Sequence, residues 1–379
     1  MNYRIVRFLD KDIGKLICKA LGIFKRCRRA PKKVKRIVFL RFWGIGSTIL
    51  STPLVRTIKT LYPDSELMLL TMDKNRGLYE KNQLFDRIMY FDMSSIGKIV
   101  TGTPGLLRSL NRYRAEIIID MEFFSRYSAI VTFFSGSGYS IGFNPEGQGR
   151  EKLYDSTVPF VEDENRVRSF VRLASPLKVK VSDLKLEPIG FDSQDKEHVD
   201  NLIEKEAGNP SKIVLINPNS GDFAEERMWP QDRFSELADR IAKKQGASII
   251  FIGGGSDKDR IRSIQKRMKE KSASFAGKTT LAQTAYLMTL ANVFVTNDSG
   301  PMHMGFAMQV PTVALFGPES PERYGPLDTK KNRAIYKSIS CSPCISLQEQ
   351  LLPKCKHHQR CMRDITVDEV YAAAEEIIR

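Results

Sequence analysis

The residues best suited to chemistry in this chain lie in one stretch, Asn297-Asp298-Ser299-Gly300-Pro301-Met302-His303, directly after the apolar run Val293-Phe-Val-Thr296. Asp298 or Ser299 can cap a following helix, Gly300 lets backbone approach a ligand closely, and Pro301 is a natural first helical residue. Such a helix start offers unpaired N–H groups and the positive end of a dipole, an arrangement that suits a diphosphate. Three other places hold reactive side chains: the turn Gly44-Ile45-Gly46-Ser47, the acids Asp120 and Glu122 after Glu116-Ile-Ile-Ile, and Cys341-x-x-Cys344 with Cys355 and Cys361. Gly44 and Gly46 do not complete a dinucleotide fingerprint, because the residue three after Gly46 is Ile49. That speaks against an NAD-dependent dehydrogenase.

These residues need rigid elements to carry them. Arg36–Arg41, Glu66–Thr71, Arg87–Phe91 and Glu116–Asp120 read as short apolar strands, with a helix from Thr48 to Leu61 after the first glycine turn. Asp120 ends its strand as an acid does when a buried parallel strand delivers it to the carboxyl edge of the sheet. A polar stretch from Asp192 to Ser211 reads as linker and exposed helix, after which the pattern restarts. Lys212–Asn217 is a strand, Gln231–Lys244 a helix, Ala247–Ile252 a strand running into Gly253-Gly254-Gly255, and Val293–Thr296 the last strand. Alternating strands and helices predict two doubly wound α/β halves with a ligand cleft between them. Trp229 and Phe234 read as packing at a helix start, and Thr366–Arg379 as a final helix returning to the body.

At 379 residues the chain fits two domains of ordinary size. No run of 18 apolar residues suggests a membrane span, and no secretory signal is evident, so the expectation is a cytoplasmic protein. Residues 1–36 hold thirteen Lys or Arg against Asp10 and Asp12, which accounts for +11 of the net +15. The remainder is close to neutral and demands no nucleic-acid surface. Apolar residues from Ile5 to Phe24 recur at helical spacing and run into Lys25-Arg26-Cys27-Arg28-Arg29. Either this amphipathic helix packs on the body, or it meets anionic lipid at the inner face of the cytoplasmic membrane.

In order and spacing, four segments resemble glycosyltransferase family 9, the family of lipopolysaccharide heptosyltransferases. They are Gly44-Ile45-Gly46 with Thr52-Pro53; Asn217-Pro218 with Arg227-Met228-Trp229-Pro230 and Phe234; Asn297 to His303; and Thr312-Val-Ala-Leu-Phe-Gly-Pro318 leading to Tyr324-Gly325-Pro326. The resemblance covers most of residues 36–379. It implies the GT-B architecture of two Rossmann-like domains facing across a cleft. The expected divisions are a basic helix at 1–35, an acceptor-side domain at 36–190, a nucleotide-sugar-binding domain at 191–345, and a Cys-rich segment with the returning helix at 346–379. It also implies an inverting transfer, with no required cofactor or metal, from a nucleotide-diphosphate sugar, ADP-heptose above all, to a lipid-linked glycan acceptor.

On the donor side the resemblance assigns Arg227 and the Asp298, Ser299, Gly300 and His303 loop to phosphate or sugar, and Asp257 to the ribose hydroxyls. Ser220 and Thr296 are expected to add hydroxyl contacts. On the acceptor side Gly44 and Gly46 form the loop, and Ser47 stands where the family carries its catalytic aspartate. A serine hydroxyl has no useful proton affinity near neutral pH. The expectation is therefore that Asp120 or Glu122 serves as base, or that the chain binds nucleotide sugar or glycan without turnover. Cys341, Cys344, Cys355 and Cys361 have spacing that permits a structural zinc site, with disulfides or free thiols also open.

Overall fold

The computed structural model describes residues 9–82, 84–145, 147–181, 183–221, 225–346 and 354–378. The chain forms two compact units, Met1–Leu186 and Glu187–Arg379, dividing four residues before the boundary expected from the sequence. Each unit carries one six-stranded parallel sheet. In the first the strands are β1 (Arg36–Leu40), β2 (Glu66–Met72), β3 (Arg87–Phe91), β4 (Ile117–Asp120), β5 (Tyr139–Asn144) and β6 (Ser156–Pro159), in spatial order β3-β2-β1-β4-β5-β6. In the second they are β7 (Ile213–Asn217), β8 (Ser248–Phe251), β9 (Ser272–Ser274), β10 (Val293–Asn297), β11 (Thr312–Phe316) and β12 (Arg333–Tyr336), in order β12-β11-β10-β7-β8-β9. The Val293 strand is therefore not the last, because two more follow it.

Central strands of such sheets are covered on both faces and so read as unbroken apolar runs. Ile37, Val38, Phe39 and Leu40 of β1 are fully buried, as are Val293, Phe294 and Val295 of β10. In both parallel sheets the order in which strands are added reverses at the centre, between β1 and β4 and between β7 and β10. In this topology a crevice opens at the carboxyl ends of the two strands flanking that reversal.

The helix after β1 starts at Ile45, earlier than the sequence reading, and stops at Leu50; a second helix runs Thr52–Leu61. Pro53 lies in the first turn of the second helix, where its missing N–H is harmless, whereas in a continuous helix it would break the ladder. Gly44, at φ +84°, makes the turn before it. In the second unit, Trp229 and Phe234 pack edge to face at 5.0 Å within a core shared with Val370 and Ala374 of the helix Val367–Ile378. Trp229 Nε1 donates to the Ile365 carbonyl at 3.0 Å.

At the N-terminal end, a π-helical turn Leu9–Ile13 leads into the helix Gly14–Gly22. Ile5 and Phe8 of the expected stripe lie outside the described residues. The helix docks on the first unit through a narrow seam, Cys18 against Ala129, Leu153 and Tyr154. Asp10 accepts the backbone N–H groups of Arg126 and Tyr127 at 2.9 Å. Ile13, Leu16, Ile17, Ile23 and Phe24 are left exposed, Leu16 at 69% and Phe24 at 76%. Among the described residues, no helix is long and apolar enough to cross a membrane.

Candidate functional site

In the second unit, the chain reversal falls between β7, which ends in Asn217, and β10, which ends in Asn297. The Asn217 amide nitrogen donates to Thr296 Oγ1 at 3.1 Å and to Ser299 Oγ at 3.0 Å, tying the two strand ends together. Ser299 is the N-cap of the helix Gly300–Ala307, but its hydroxyl makes no cap hydrogen bond. The expected capping by Ser299 is thus absent, and its oxygen is turned to the Asn217 amide instead. The first turn of the helix keeps its backbone donors without a side-chain cap, the condition under which such a terminus receives an anion. Gly305 seats this helix on the sheet, since a Cβ there would lie 2.8 Å from the Phe294 ring.

Arg227, on the short turn Glu225–Arg227 after β7, places Nη1 3.4 Å from Asp298 Oδ2. The Asp298 side chain is almost fully buried, and that of Arg227 is 23% exposed. Burial raises the Asp298 pKa, with Arg227 opposing it. Against its own burial, Arg227 is held charged by Asp298 and Glu319. His303 is buried, and burial together with the nearby Arg227 pushes its pKa down to about 3. It is therefore a neutral imidazole, able to exchange hydrogen bonds but not to supply charge. Its ring lies 5.9 Å from that of Phe306 and 6.0 Å from that of Tyr324.

Glu319, just past β11, is a member of this cluster that the sequence reading missed. Its signal was available: an acid three residues after the apolar run Thr312–Phe316, the same pattern that drew attention to Asp120. Oε1 accepts from Ser320 N at 2.9 Å and from Arg323 Nη1 at 3.3 Å. Burial, reinforced by Asp298, pushes its pKa up to about 7 against the Ser320 N–H, Arg227 and Arg323.

Among the described residues, five buried side-chain atoms around the ends of β7, β10 and β11 have no hydrogen-bond partner, Asn219 Oδ1, Arg227 Nε, Asn297 Nδ2, His303 Nδ1 and Glu319 Oε2, while Asp298 Oδ2 has the ion pair with Arg227 alone. Buried polar atoms are ordinarily satisfied, so a concentration of this kind at a sheet switch point marks a surface built for a polar ligand. Asp257 adjoins it through Gly253, where a Cβ would meet Asn219 Nδ2 at 2.8 Å and Asp257 Oδ2 at 2.9 Å. Asp257 Oδ2 accepts from Gly254 N at 2.7 Å, fixing the turn after β8. Ser220 lies two residues beyond the β7 loop proline and is part-buried.

The equivalent place in the first unit is filled by the chain itself. Asp120 is 0% exposed, and its Oδ2 accepts from Ser128 Oγ at 2.7 Å, Tyr154 Oη at 2.6 Å and Arg150 Nη2 at 2.9 Å. Its Oδ1 accepts from Glu122 N at 2.9 Å. Glu122 Oε1 accepts from the backbone N–H groups of Phe42 at 2.8 Å and Trp43 at 3.0 Å, while Oε2 pairs with Arg41 at 3.1 Å. Burial raises the Glu122 pKa, and Arg41 with the Trp43 and Phe42 N–H groups draws it back down. This corrects the expectation that either acid is a base open to substrate, since every carboxyl oxygen is engaged inside the protein. Glu122 instead fixes the approach to the Gly44 turn. Ser47, in the first turn of the helix Ile45–Leu50, is part-exposed, and a Cβ on Gly44 would lie 3.6 Å from its Oγ.

The four C-terminal cysteines are free thiols. Cys361 is pushed up to about 11, by burial first and then by Cys344, Cys355 and Cys341. Among the described residues, no three His, Cys, Asp or Glu side chains are arranged to hold a metal ion.

Comparison with known proteins accords with this geometry. Over 351 residues the chain is 24% identical to lipooligosaccharide heptosyltransferase 2 of Campylobacter jejuni, covering 91% of this chain and 99% of that protein. A glycosyl transferase family 9 structure from Veillonella parvula superposes with a TM-score of 0.76 at 22% identity, covering 93% of this chain and 99% of the other. The Escherichia coli ADP-heptose lps heptosyltransferase II does so with a TM-score of 0.72 at 21% identity, covering 91% and 98%. These likenesses make the fold GT-B. Residues 105–355 match the profile of glycosyltransferase family 9 (heptosyltransferase), and the chain belongs to that family.

Proposed function

We propose that this protein transfers heptose, with inversion, from ADP-heptose to a lipopolysaccharide-type or other surface-glycan acceptor, and that it needs no metal ion. The observation that carries the reading is the set of buried polar atoms around Arg227 that have no hydrogen-bond partner among the described residues, beside a helix start without a side-chain cap. The names of the Campylobacter relative and the Escherichia structure support heptose and ADP as the groups bound. In this reading Arg227 grips two phosphate oxygens, and the Ser299–Gly300 backbone adds donors. Asp257 takes the ribose, and Thr296 and Ser220 line the phosphate path. Asp298 and His303 face hydroxyls, because a carboxylate repels phosphate and a neutral imidazole brings no charge to it.

The acceptor hydroxyl attacks the anomeric carbon from the side opposite the diphosphate. The bond from that carbon to the phosphate oxygen breaks, and its electron pair leaves on the nucleotide. Arg227 and the helix dipole neutralise the developing charge, the task a divalent ion performs elsewhere. Ser47, with Gly44 and Gly46, holds the acceptor hydroxyl and does not take its proton, which passes as the new bond forms to a departing diphosphate oxygen or to solvent water. Incubation with ADP-heptose and a lipid-linked core glycan in EDTA should add one heptose mass to the acceptor with inverted configuration. Affinity for the donor without product would refute transfer and leave a binding protein.

The same reading places the chain on the inner face of the cytoplasmic membrane. Ile13, Leu16, Ile17, Ile23 and Phe24 are exposed beside Lys19, Arg26 and Arg29. Apolar and cationic side chains together suit an anionic bilayer surface. Flotation with phosphatidylglycerol vesicles should be lost in Ile23→Glu/Phe24→Glu; equal flotation of both proteins would refute it.

A further inference from the structure

We propose that Glu319 is a specificity-determining residue of the donor site, its Oε2 accepting a hydroxyl of the transferred sugar. This rests on the nucleotide-sugar reading above and says where the sugar lies within it.

Along the carboxyl edge of the second sheet the strands run β11, β10, β7, β8. The side chains that follow them are Glu319, Asp298, Arg227 and Asp257 in the same sequence. Neighbouring strands are about 4.8 Å apart, so this row spans roughly 14 Å, the scale of a ribosyl diphosphate sugar laid across the edge. With the cation Arg227 in the middle fixing the phosphates and Asp257 beyond β8 on the ribose, the far end at β11 receives the sugar. There stands a carboxyl group whose side chain is 1% exposed. One of its oxygens is committed to Ser320 and Arg323, and the other has no hydrogen-bond partner among the described residues.

A phosphate oxygen is disfavoured at that position, because the ionised carboxylate would face a second anion. A hydroxyl fits, since it donates to the carboxylate and restores some of the solvation that burial removed. Burial of this carboxyl group, which pushes its pKa up to about 7, is what such a hydroxyl would offset. Oε1 is the end held by Ser320 and Arg323, so Glu319→Gln keeps its carbonyl there and turns an NH₂ inward. That exchanges the bare acceptor for a donor at constant shape.

The test is calorimetric titration of wild-type protein and Glu319→Gln with ADP and with ADP-heptose, circular dichroism confirming that both proteins are folded. Wild type should bind ADP-heptose at least tenfold more tightly than ADP. The variant should bind ADP as well as wild type or better, having lost a negative charge near the phosphates, while its preference for ADP-heptose falls about tenfold. An unchanged preference overturns the assignment. So does an equal loss for both ligands, which would mean that Glu319 acts only by holding Arg323. Wild type that binds ADP without preferring ADP-heptose overturns it as well. Wild type that binds neither ligand defeats the nucleotide-sugar reading itself, a result distinct from the others.

Discussion

Arg227 has two partners to answer to, the carboxylate of Asp298 in the free protein and the diphosphate in the complex, and the two roles can be separated. At 3.4 Å and an effective dielectric near 20, the gross attraction to Asp298 is about 5 kcal/mol. Most of this offsets the burial of the two charges. Removing one partner of a buried pair typically costs about 3–5 kcal/mol. Because the Arg227 side chain is 23% exposed, water recovers part of that, and Arg227→Met should lose about 2–3 kcal/mol of stability at pH 7 in urea denaturation. The deficit should shrink as pH falls. Asp298 already has a raised pKa, and a protonated carboxyl group needs no cation. ADP affinity should drop about 100-fold, equivalent to two charge-assisted bonds of roughly 1.5 kcal/mol each. In Arg227→Met/Asp298→Asn the orphaned charge is gone, so stability should return to within about 1 kcal/mol of wild type, an additivity failure expected of directly paired residues. ADP affinity should stay low. Recovery of ADP binding in the double variant would refute the reasoning, since Arg227 would then have served only to neutralise Asp298.

The remaining predictions concern the other titrating groups and the first unit. Glu319 has a folded pKa of about 7 against 4.5 unfolded, so its stabilising contribution is complete below pH 4.5 and is lost as pH rises through 7. Glu319→Gln without ligand should therefore be about 1–3 kcal/mol more stable than wild type at pH 8 and equal to it near pH 5, as read from urea midpoints. His303 runs the opposite way: with a folded pKa of about 3 against 6.5, its contribution is present above pH 6.5 and is lost as pH falls towards 3. His303→Gln should flatten stability between pH 6 and 4, and a slope unchanged from wild type would show that another group is responsible. Glu122→Gln should cost about 3 kcal/mol by stranding Arg41. The pH dependence of its residual kcat should keep the wild-type shape, and a lost ionisation there would reinstate Glu122 as base. Ser47→Asp should raise kcat about tenfold or more without changing ADP affinity, given the size of general-base contributions; no rise would mean that proton removal does not limit turnover.

What the sequence revealed and what it hid divide along the range of the interactions involved. The strands β1, β2, β7 and β10 were legible because a strand buried on both faces is a continuous apolar run, a local property. The strand β9, Ser272-Ala-Ser274, was not, because its position at the sheet edge asks little apolar character of it. The residues Arg227, Asp298 and His303 were found through a short motif and fall together in space. Asp120 and Glu319 show where local reasoning ends. Both are acids at or just past the end of an apolar parallel strand, and by pattern alone both could face a ligand. Asp120 is closed off by Arg150, 30 positions along the chain, and by Tyr154 and Ser128. Among the described residues, Glu319 accepts from Arg323 and a neighbouring N–H, both on one oxygen, and its other oxygen has no hydrogen-bond partner. An acid at a carboxyl edge is thus a candidate by position, but whether it serves the fold or the ligand is decided by how many of its lone pairs the rest of the chain has already taken.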